Sequence, residues 1–408
     1  MTEAGFYQRL LLLKEGWDVK EVKVNHDIKE VDVFIEYTTE QASCPVTDEL
    51  SRIYDYRENR RWRHLDTMQY KTYLNCRVPR VINEAGKVTT IAVPWSDYST
   101  HYTFLFEEAV INLLQFCKNQ TKTAAFFSVS FHQVNSIMKR AVQRGLEKRK
   151  IDQTPVAIGL DEKSFRRGHD YITVLSDIEN ARVLEVEHGR TIKATKTLID
   201  KTFTAQQLSQ IEVVVSDMWD AYLKVAKEKM PAAKKVIDRF HLINYLNQAI
   251  DKTRKQELKT EQELLKKSKY VMLKNEENLN EKQRQQFEAI NKANLRTAHV
   301  WRAKANFKEM ILQPDQAHAI LMLGKWLQQA RTTTLYHLLK VADTFENHFM
   351  AVANALWSKY SNAVAERING AIQEIKSIGK GFRTPEGFRT AILFHYGKLS
   401  VYRSQNIQ

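Results

Sequence analysis

The sequence predicts a multidomain α+β protein, and three observations lead to that class. Its 408 residues exceed what one hydrophobic core usually organises. The spacing of apolar residues changes along the chain from an alternating period of two to a helical period near 3.6, and back again. From Phe240 to about Phe349 strand-like runs vanish, and Lys, Gln and Glu dominate between helically spaced apolar residues. These changes divide the chain into a small β module at 1–95, a helical unit at 96–150, an α/β region at 151–240, an all-helical block at 241–349 and final helices at 350–408.

In the first stretch Val22, Val24, Val31, Val33 and Ile35 alternate with polar residues, the pattern of a half-buried β-hairpin. A second strand-rich stretch runs from Tyr70 to Pro94 around a Glu84-Ala85-Gly86-Lys87 turn. Arg57 to Arg80 is dense in Arg and Lys, with only Glu58 and Asp66 opposing them, which suits a phosphate-facing surface or a solvated charged loop.

From Tyr102 onward Phe106, Val110, Leu113, Leu114 and Cys117 form one apolar stripe of a helix. A short helix at Thr121 to Phe127, a Ser128-Val129-Ser130 turn and a helix carrying Phe131, Val134, Ile137, Met138 and Ala141 follow. This is a helix-turn-helix candidate, although an ordinary helical hairpin has the same pattern. His132, Gln133, Asn135, Ser136 and Lys139 fall on its outward face, and such side chains can reach base edges and phosphates in a major groove.

The α/β region reads as a buried strand at Pro155 to Leu160, a hairpin of Tyr171 to Leu175 with Arg182 to Val186, a helix near Ala194 to Phe203, and short strands at Val213 to Val215 and Val236-Ile237. After the helical block, a helix from Leu356 leads to a Gly379-Lys380-Gly381 bend. The last helix begins at Thr384-Pro385-Glu386, with Thr as cap and Pro as first helical residue.

Composition narrows the partners. Lys and Arg total 62 against 48 Asp and Glu, a formal charge of +14, so a polyanion is the natural partner and nucleic acid leads that class. A hydrophobic fraction of 43% excludes a chain too polar to fold. Nowhere do about 18 apolar residues follow one another, and Gln8 and Arg9 interrupt any export signal, so no membrane association is expected. Cys44, Cys76 and Cys117 are too few and scattered for a disulfide framework, which fits a cytoplasmic protein.

Two acids stand out. Asp161 follows the apolar run ending at Leu160, and Asp217 follows Val213-Val214-Val215-Ser216. Strand-end carboxylates of an open α/β sheet meet at one edge and can share a divalent cation. Glu366, in the helix of Ser361 to Asn369, is the best-placed third carboxylate. Each acid taken alone also fits a cap or a salt-bridge partner.

The segments Ile158 to His169, Val215-Ser216-Asp217-Met218, Asp238-Arg239-Phe240-His241, and Asn362 to Asn369 with Gly381-Phe382-Arg383 resemble the bacterial insertion-sequence transposases of the ISL3 family. The resemblance runs almost end to end and includes Lys269 to Asn275 with Asn278-Leu279. It implies a ribonuclease H-like α/β catalytic core interrupted by an all-helical insertion, and an Asp-Asp-Glu triad of Asp161, Asp217 and Glu366. Carboxylates suit two Mg²⁺ ions, or Mn²⁺ as a substitute, which together can activate an attacking oxygen and stabilise a leaving oxygen. Water and then a DNA 3′-hydroxyl would attack phosphorus, cutting and joining strands without a protein nucleophile.

The resemblance also implies a supporting role for Asp238 and His241, which alternatively form a packing pair at a helix start. Lys163, Arg166 and Arg167 beside the first acid fit a grip on phosphates or a solvated loop. Trp326 in the helical block fits a base-stacking residue or, more simply, core packing. Family members commonly carry a zinc ribbon of paired Cys-x-x-Cys steps, but Cys44-Pro45-Val46-Thr47 keeps one thiol and the second pair is replaced around Ile82 to Gly86. Cys44, His64 and Cys76 would leave a closed site one ligand short, so no zinc is expected. The expected activity is that of a DNA transposase binding the terminal inverted repeats of its own element, as a homodimer or larger assembly on double-stranded DNA. A DNA-binding regulator without catalysis, or a nuclease of the same fold without strand transfer, are the alternatives.

Overall fold

The structure, a computed structural model, describes residues 2–149, 154–166, 168–360 and 363–403. It divides into two compact units, Met1–Gln143 with Val401–Gln408, and Arg144–Ser400.

The first unit opens with α1 (Glu3–Leu10), β1 (Trp17–Asn25), β2 (Glu30–Tyr37), β3 (Gln41–Ser43), β4 (Leu50–Arg63), β5 (Lys71–Ile82) and β6 (Val88–Thr90). Its sheet runs β1-β2-β5-β4-β3, with β6 paired to β5. The expected hairpin is β1 with β2, where Val22 opposes Val33 and Val24 opposes Val31. Val31, Val33 and Ile35 are buried, but Val24 is 40% exposed, near the solvent-exposed far end of β1. The arginine-rich stretch is mostly strand and not loop: Arg57, Arg60, Arg61 and Arg63 belong to β4 and Lys71, Arg77 and Arg80 to β5, and the pairing of the two shifts register between Tyr56 and Asn59. Trp62 and Trp17 both meet Trp95 edge to face, at centroid separations of 5.7 and 5.0 Å, in the core of this sheet.

Where a second thiol would stand, Thr47 bonds to the Cys44 sulfur, and with the Val46 N–H, the largest cause, it lowers the thiol pKa. Desolvation pushes the Cys76 thiol up to about 12, and burial then the Arg63 charge bring His64 down to about 4. The His64 ring bonds to the Thr103 hydroxyl at 2.9 Å.

Three helices follow, α2 (Phe104–Cys117), α3 (Gln120–Phe127) and α4 (Phe131–Lys148). Of the expected α2 stripe Phe106, Val110 and Leu114 are buried while Leu113 and Cys117 are half-buried, Ile111 taking the inner place instead, and in α4 Val134, Ile137, Met138 and Ala141 are buried. Phe131 departs from its stripe at 46% exposure, since it starts α4 before the helix reaches its neighbours. Ser128 ends α3 in the left-handed conformation at φ 52°, where a glycine would fit more cheaply.

The second unit carries β7 (Ala157–Arg166), β8 (Asp170–Asp177), β9 (Arg182–His188), α5 (Ile192–Thr202), α6 (Ala205–Gln210), β10 (Val213–Ser216), α7 (Asp220–Lys229) and β11 (Lys234–Ile237). Its sheet order is β11-β10-β7-β8-β9; β7, β8 and β9 are antiparallel, and β10 and β11 run parallel to β7. On one face α5, α6 and α7 bury Leu198, Ile199, Leu208, Tyr222 and Val225 against Ile158, Leu160, Leu175, Leu184 and Val214.

The helical block comprises α8 (Arg239–Glu257), α9 (Gln262–Leu265), α10 (Lys269–Leu273), α11 (Glu281–Lys292), α12 (Arg296–Glu309), α13 (Gln316–Arg331), α14 (Tyr336–Asn347) and α15 (Phe349–Trp357). Its apolar residues join Val213, Val215, Val236 and Ile237 in one core cluster, so block and sheet share an interior. The chain ends in α16 (Ala363–Ile378) and α17 (Pro385–Tyr396). As the sequence predicts, Thr384 caps α17 by accepting the Gly387 N–H at 3.1 Å, with Pro385 in the first turn.

Candidate active site

The register of three parallel strands builds the site. Leu160 of β7 pairs with Ser216 of β10, and Ser216 pairs with Ile237 of β11. The next residue in each case is an acid: Asp161 within β7, and Asp217 and Asp238 directly after β10 and β11. Residues level across parallel strands share a face and sit about 4.8 Å from strand to strand. The Asp238 N–H donates to Ser216 O at 2.8 Å, which carries the row one residue beyond β10. One expectation needs correction: Asp217 does end its strand, but Asp161 lies inside β7, which continues to Arg166 paired with β8 alone. The close pass of β8 requires Gly159, since a Cβ there would meet Ser176 Oγ at 2.6 Å.

Helix α16 brings the fourth acid. Asn369 donates from Nδ2 to Asp161 Oδ2 at 2.5 Å, and Lys376 donates to Ser164 O at 2.8 Å, so the helix is fixed along β7. Glu366 lies one turn before Asn369 on the same stripe and is exposed. Upstream, Arg239 donates to Ala355 O at 2.7 Å and Ser358 O at 2.5 Å, holding the segment that leads into α16.

The electrostatics fit a cation site. Burial raises Asp161, despite bonds from the Glu162 N–H and Asn369. Burial, then the charges of Asp161 and Glu162, brings Asp217 up to about 6, although it accepts the Trp219 N–H at 3.0 Å. Desolvation followed by Asp238 raises Glu366. His241 works against the rise at all three, and its Nε2 stands 3.7 Å from Asp238 Oδ2. Carboxyl groups pushed together with one imidazole to offset them are hard oxygen donors that a divalent cation would relieve. Among the described residues no three His, Cys, Asp or Glu side chains are gathered closely enough to hold a metal ion, and Glu366 meets Asp238, His241 and Asp161 through its charge.

Residues 158–392, from β7 to α17, match the family model described as transposase, of the ISL3 type with DDE chemistry. The chain belongs to the ISL3 family of DDE transposases. It is 26% identical over 356 residues to the transposase of insertion sequence element IS1557 from Mycobacterium tuberculosis, covering 80% of this chain and 79% of that protein. It is 23% identical over 384 residues to the transposase of IS1001 from Bordetella parapertussis, covering 92% and 94% respectively. DDE transposases act on DNA and generally use divalent metal ions. The family match spans the acid row, the helical block and α16, and ends within α17.

The remaining sequence-derived candidates sort by location. In α4, His132, Gln133, Ser136 and Lys139 are exposed and Asn135 is half-buried. Gln133 is occupied: its side chain accepts the Ser130 N–H at 2.8 Å, and Ser130 Oγ accepts the Gln133 N–H at 3.2 Å, a reciprocal cap. Ser136 accepts from Arg140 at 3.2 Å. Lys163 and Arg166 belong to β7 and not to a loop; Lys163 shares the Asp161 face, and Arg166 donates to Arg383 O. Arg167 lies outside the described residues. Trp326 is no stacking platform: it is 3% exposed, packs on Phe307 and Phe345, and donates to Ala303 O at 2.9 Å.

Asn369 and Arg239 were missed by sequence reasoning. Asn369 had a signal, its three-residue spacing from Glu366 on one helix face. Arg239 had none, because its acceptors are backbone oxygens more than a hundred residues away.

Proposed function

We propose that the chain is the transposase of its own insertion sequence, binding the terminal inverted repeats and performing metal-dependent cleavage and joining of DNA strands. The observation that carries this reading is the row of Asp161 and Asp217 on neighbouring strands, with α16 pinned to Asp161 through Asn369 and Glu366 one turn away. The order β9-β8-β7-β10-β11, antiparallel then parallel, supports a ribonuclease H-like core. In that reading residues 241–349 are an insertion between β11 and the final helices.

Asp161, Asp217 and Glu366 would hold two Mg²⁺ ions, with Mn²⁺ as a substitute. Bound cations supply positive charge at the phosphodiester oxygens. The chain's own residues supply position. Asn369 orients the Asp161 carboxylate, Asp238 caps α8 by accepting the Phe240 N–H at 3.0 Å, and that cap presents His241 to the row. Lys163, beside Asp161, and Arg166 and Arg167 further along are suited to hold the strand being cut. His132, Asn135, Ser136 and Lys139 of α4 are the DNA-reading set, and Gln133 serves the helix start. A homodimer or larger assembly would bring two element ends together.

The test uses DNA carrying the inverted repeats that flank the gene. Asp161→Asn, Asp217→Asn and Glu366→Gln should abolish Mg²⁺-dependent cleavage while retaining the DNA, and Asn135→Ala with Lys139→Ala should weaken binding to the terminal repeat. Cleavage without joined product would indicate a nuclease, and repeat binding without cleavage a regulator.

A further inference from the structure

The β module contains an open cavity of about 610 Å³ lined by Arg57, Arg60, Arg80, Lys87 and Tyr98, far in sequence from the acids and from α4. The register shift between Tyr56 and Asn59 explains its charge. In a regular strand, residues three apart face opposite sides; the bulge turns Arg57 and Arg60 into the same cavity. Arg80 is paired to Asp55, but among the described residues no carboxylate pairs with Arg57 or Arg60. Arg60 instead donates to Thr100 O at 3.1 Å and stacks over Trp62 and Tyr98, while Arg57 donates to the Tyr98 hydroxyl at 3.3 Å. Two guanidinium groups are thus oriented by an exposed tyrosine and by a backbone oxygen, and the nearby acids are engaged elsewhere: Asp55, which also feels the Arg57 charge, is bonded to Arg80, and Asp97 pairs with Arg403. Like charges held side by side are a cost unless an anion joins them, and planar guanidinium forks match phosphate oxygens.

We propose that this cavity is a second DNA contact, in which Arg57 and Arg60 hold successive backbone phosphates of a duplex while Tyr98 packs against the sugar edge. This rests on the DNA-acting reading above and adds to it a surface independent of α4. A polynucleotide suits the site better than a free anion, because the groove is open and its lining, in which Asp97 is the one acid, extends past the arginines to Lys87.

The experiment measures binding of the full chain to a 30-base-pair duplex of arbitrary sequence between 50 and 200 mM salt, since phosphate contacts are independent of sequence. Arg57→Gln with Arg60→Gln should remove two phosphate contacts and flatten the slope of log affinity against log salt by about 1.8. The wild-type advantage over that variant should then shrink roughly tenfold across this range. Arg57→Lys with Arg60→Lys, which keeps both charges, should retain the wild-type slope. An unchanged slope in the Gln variant, or an equal loss in the Lys variant, overturns the proposal. So does orthophosphate at 10 mM displacing the duplex from wild type and Gln variant alike. Failure of the wild-type chain to bind any duplex, with Lys139→Ala equally silent, would instead overturn the DNA-acting reading itself.

Discussion

Replacing Asp217 by Asn should make the metal-free protein more stable. Burial and neighbouring acids raise Asp217 from 3.8 to about 6. An acid whose pKa is raised on folding contributes favourably only below its unfolded value, and the contribution is lost as pH rises through the folded value. At pH 7.5 the ionised carboxylate therefore opposes folding by at most about 3 kcal/mol, and by about 1–2 kcal/mol once solvent at this half-buried site is allowed for. Asn keeps an oxygen to accept the Trp219 N–H and removes the charge. In EDTA at pH 7.5 the variant should melt about 2–8 °C above wild type, and the difference should fall to about half at pH 5, where wild-type Asp217 is mostly protonated. Adding Mg²⁺ should stabilise wild type and not the variant. Differential scanning calorimetry in the two buffers measures both effects. A variant that melts below wild type in EDTA, or that gains equally from Mg²⁺, would refute the argument that these acids are held together for a cation.

Three further outcomes follow from particular contacts. Asn369→Ala removes the donor on Asp161 Oδ2 and should shift the Mg²⁺ requirement for cleavage upward by about 10–100-fold, with repeat binding unchanged in a gel-shift assay. Lys304 is buried with its ammonium donating to Asn247 Oδ1 and Leu273 O, and burial brings it down to about 8, so thermal stability should rise from pH 8 to pH 10.5 and Lys304→Met should flatten that rise. Strong zinc chelators should leave the melting of the β module unchanged, because Val31, Val33, Ile35 and three packed tryptophans supply its core; a chelator-induced transition by circular dichroism would contradict this.

Much of the frame was legible where one physical signal dominated. Period-two alternation marked β1 and β2, and Thr384-Pro385 marked the start of α17, since a cap and a fixed φ act locally. The length of β4 was hidden because its bulge breaks the alternation, and Arg57, Glu58, Asn59 and Arg60 then read as a charged loop. The continuation of β7 past Asp161 was hidden for a related reason. Its residues Asp161 to Ser164 are polar because they border the site, so they lack the apolar signature of a buried strand. Asp161 and Asp217 could be paired from their places after apolar runs, but the pinning of α16 depends on one amide contact across the fold that no local pattern announces. Trp326 shows the reverse case: its type suggested a ligand contact, and its surroundings made it part of the core.

The acid row has a temporal consequence. Asp161 is held by Asn369, more than two hundred residues later in the chain, and at bacterial rates of roughly 5–20 residues per second that interval lasts about 10–40 s. For most of it, the growing polypeptide has the β module and α4 outside the ribosome, while the partner of its first acid has not been made. Any DNA-holding capacity of the early segments therefore matures before the capacity to cut. A polypeptide that stalls or is clipped within the helical block would remain in that first condition permanently and, on the proposed reading of α4, would compete with complete copies for the element ends.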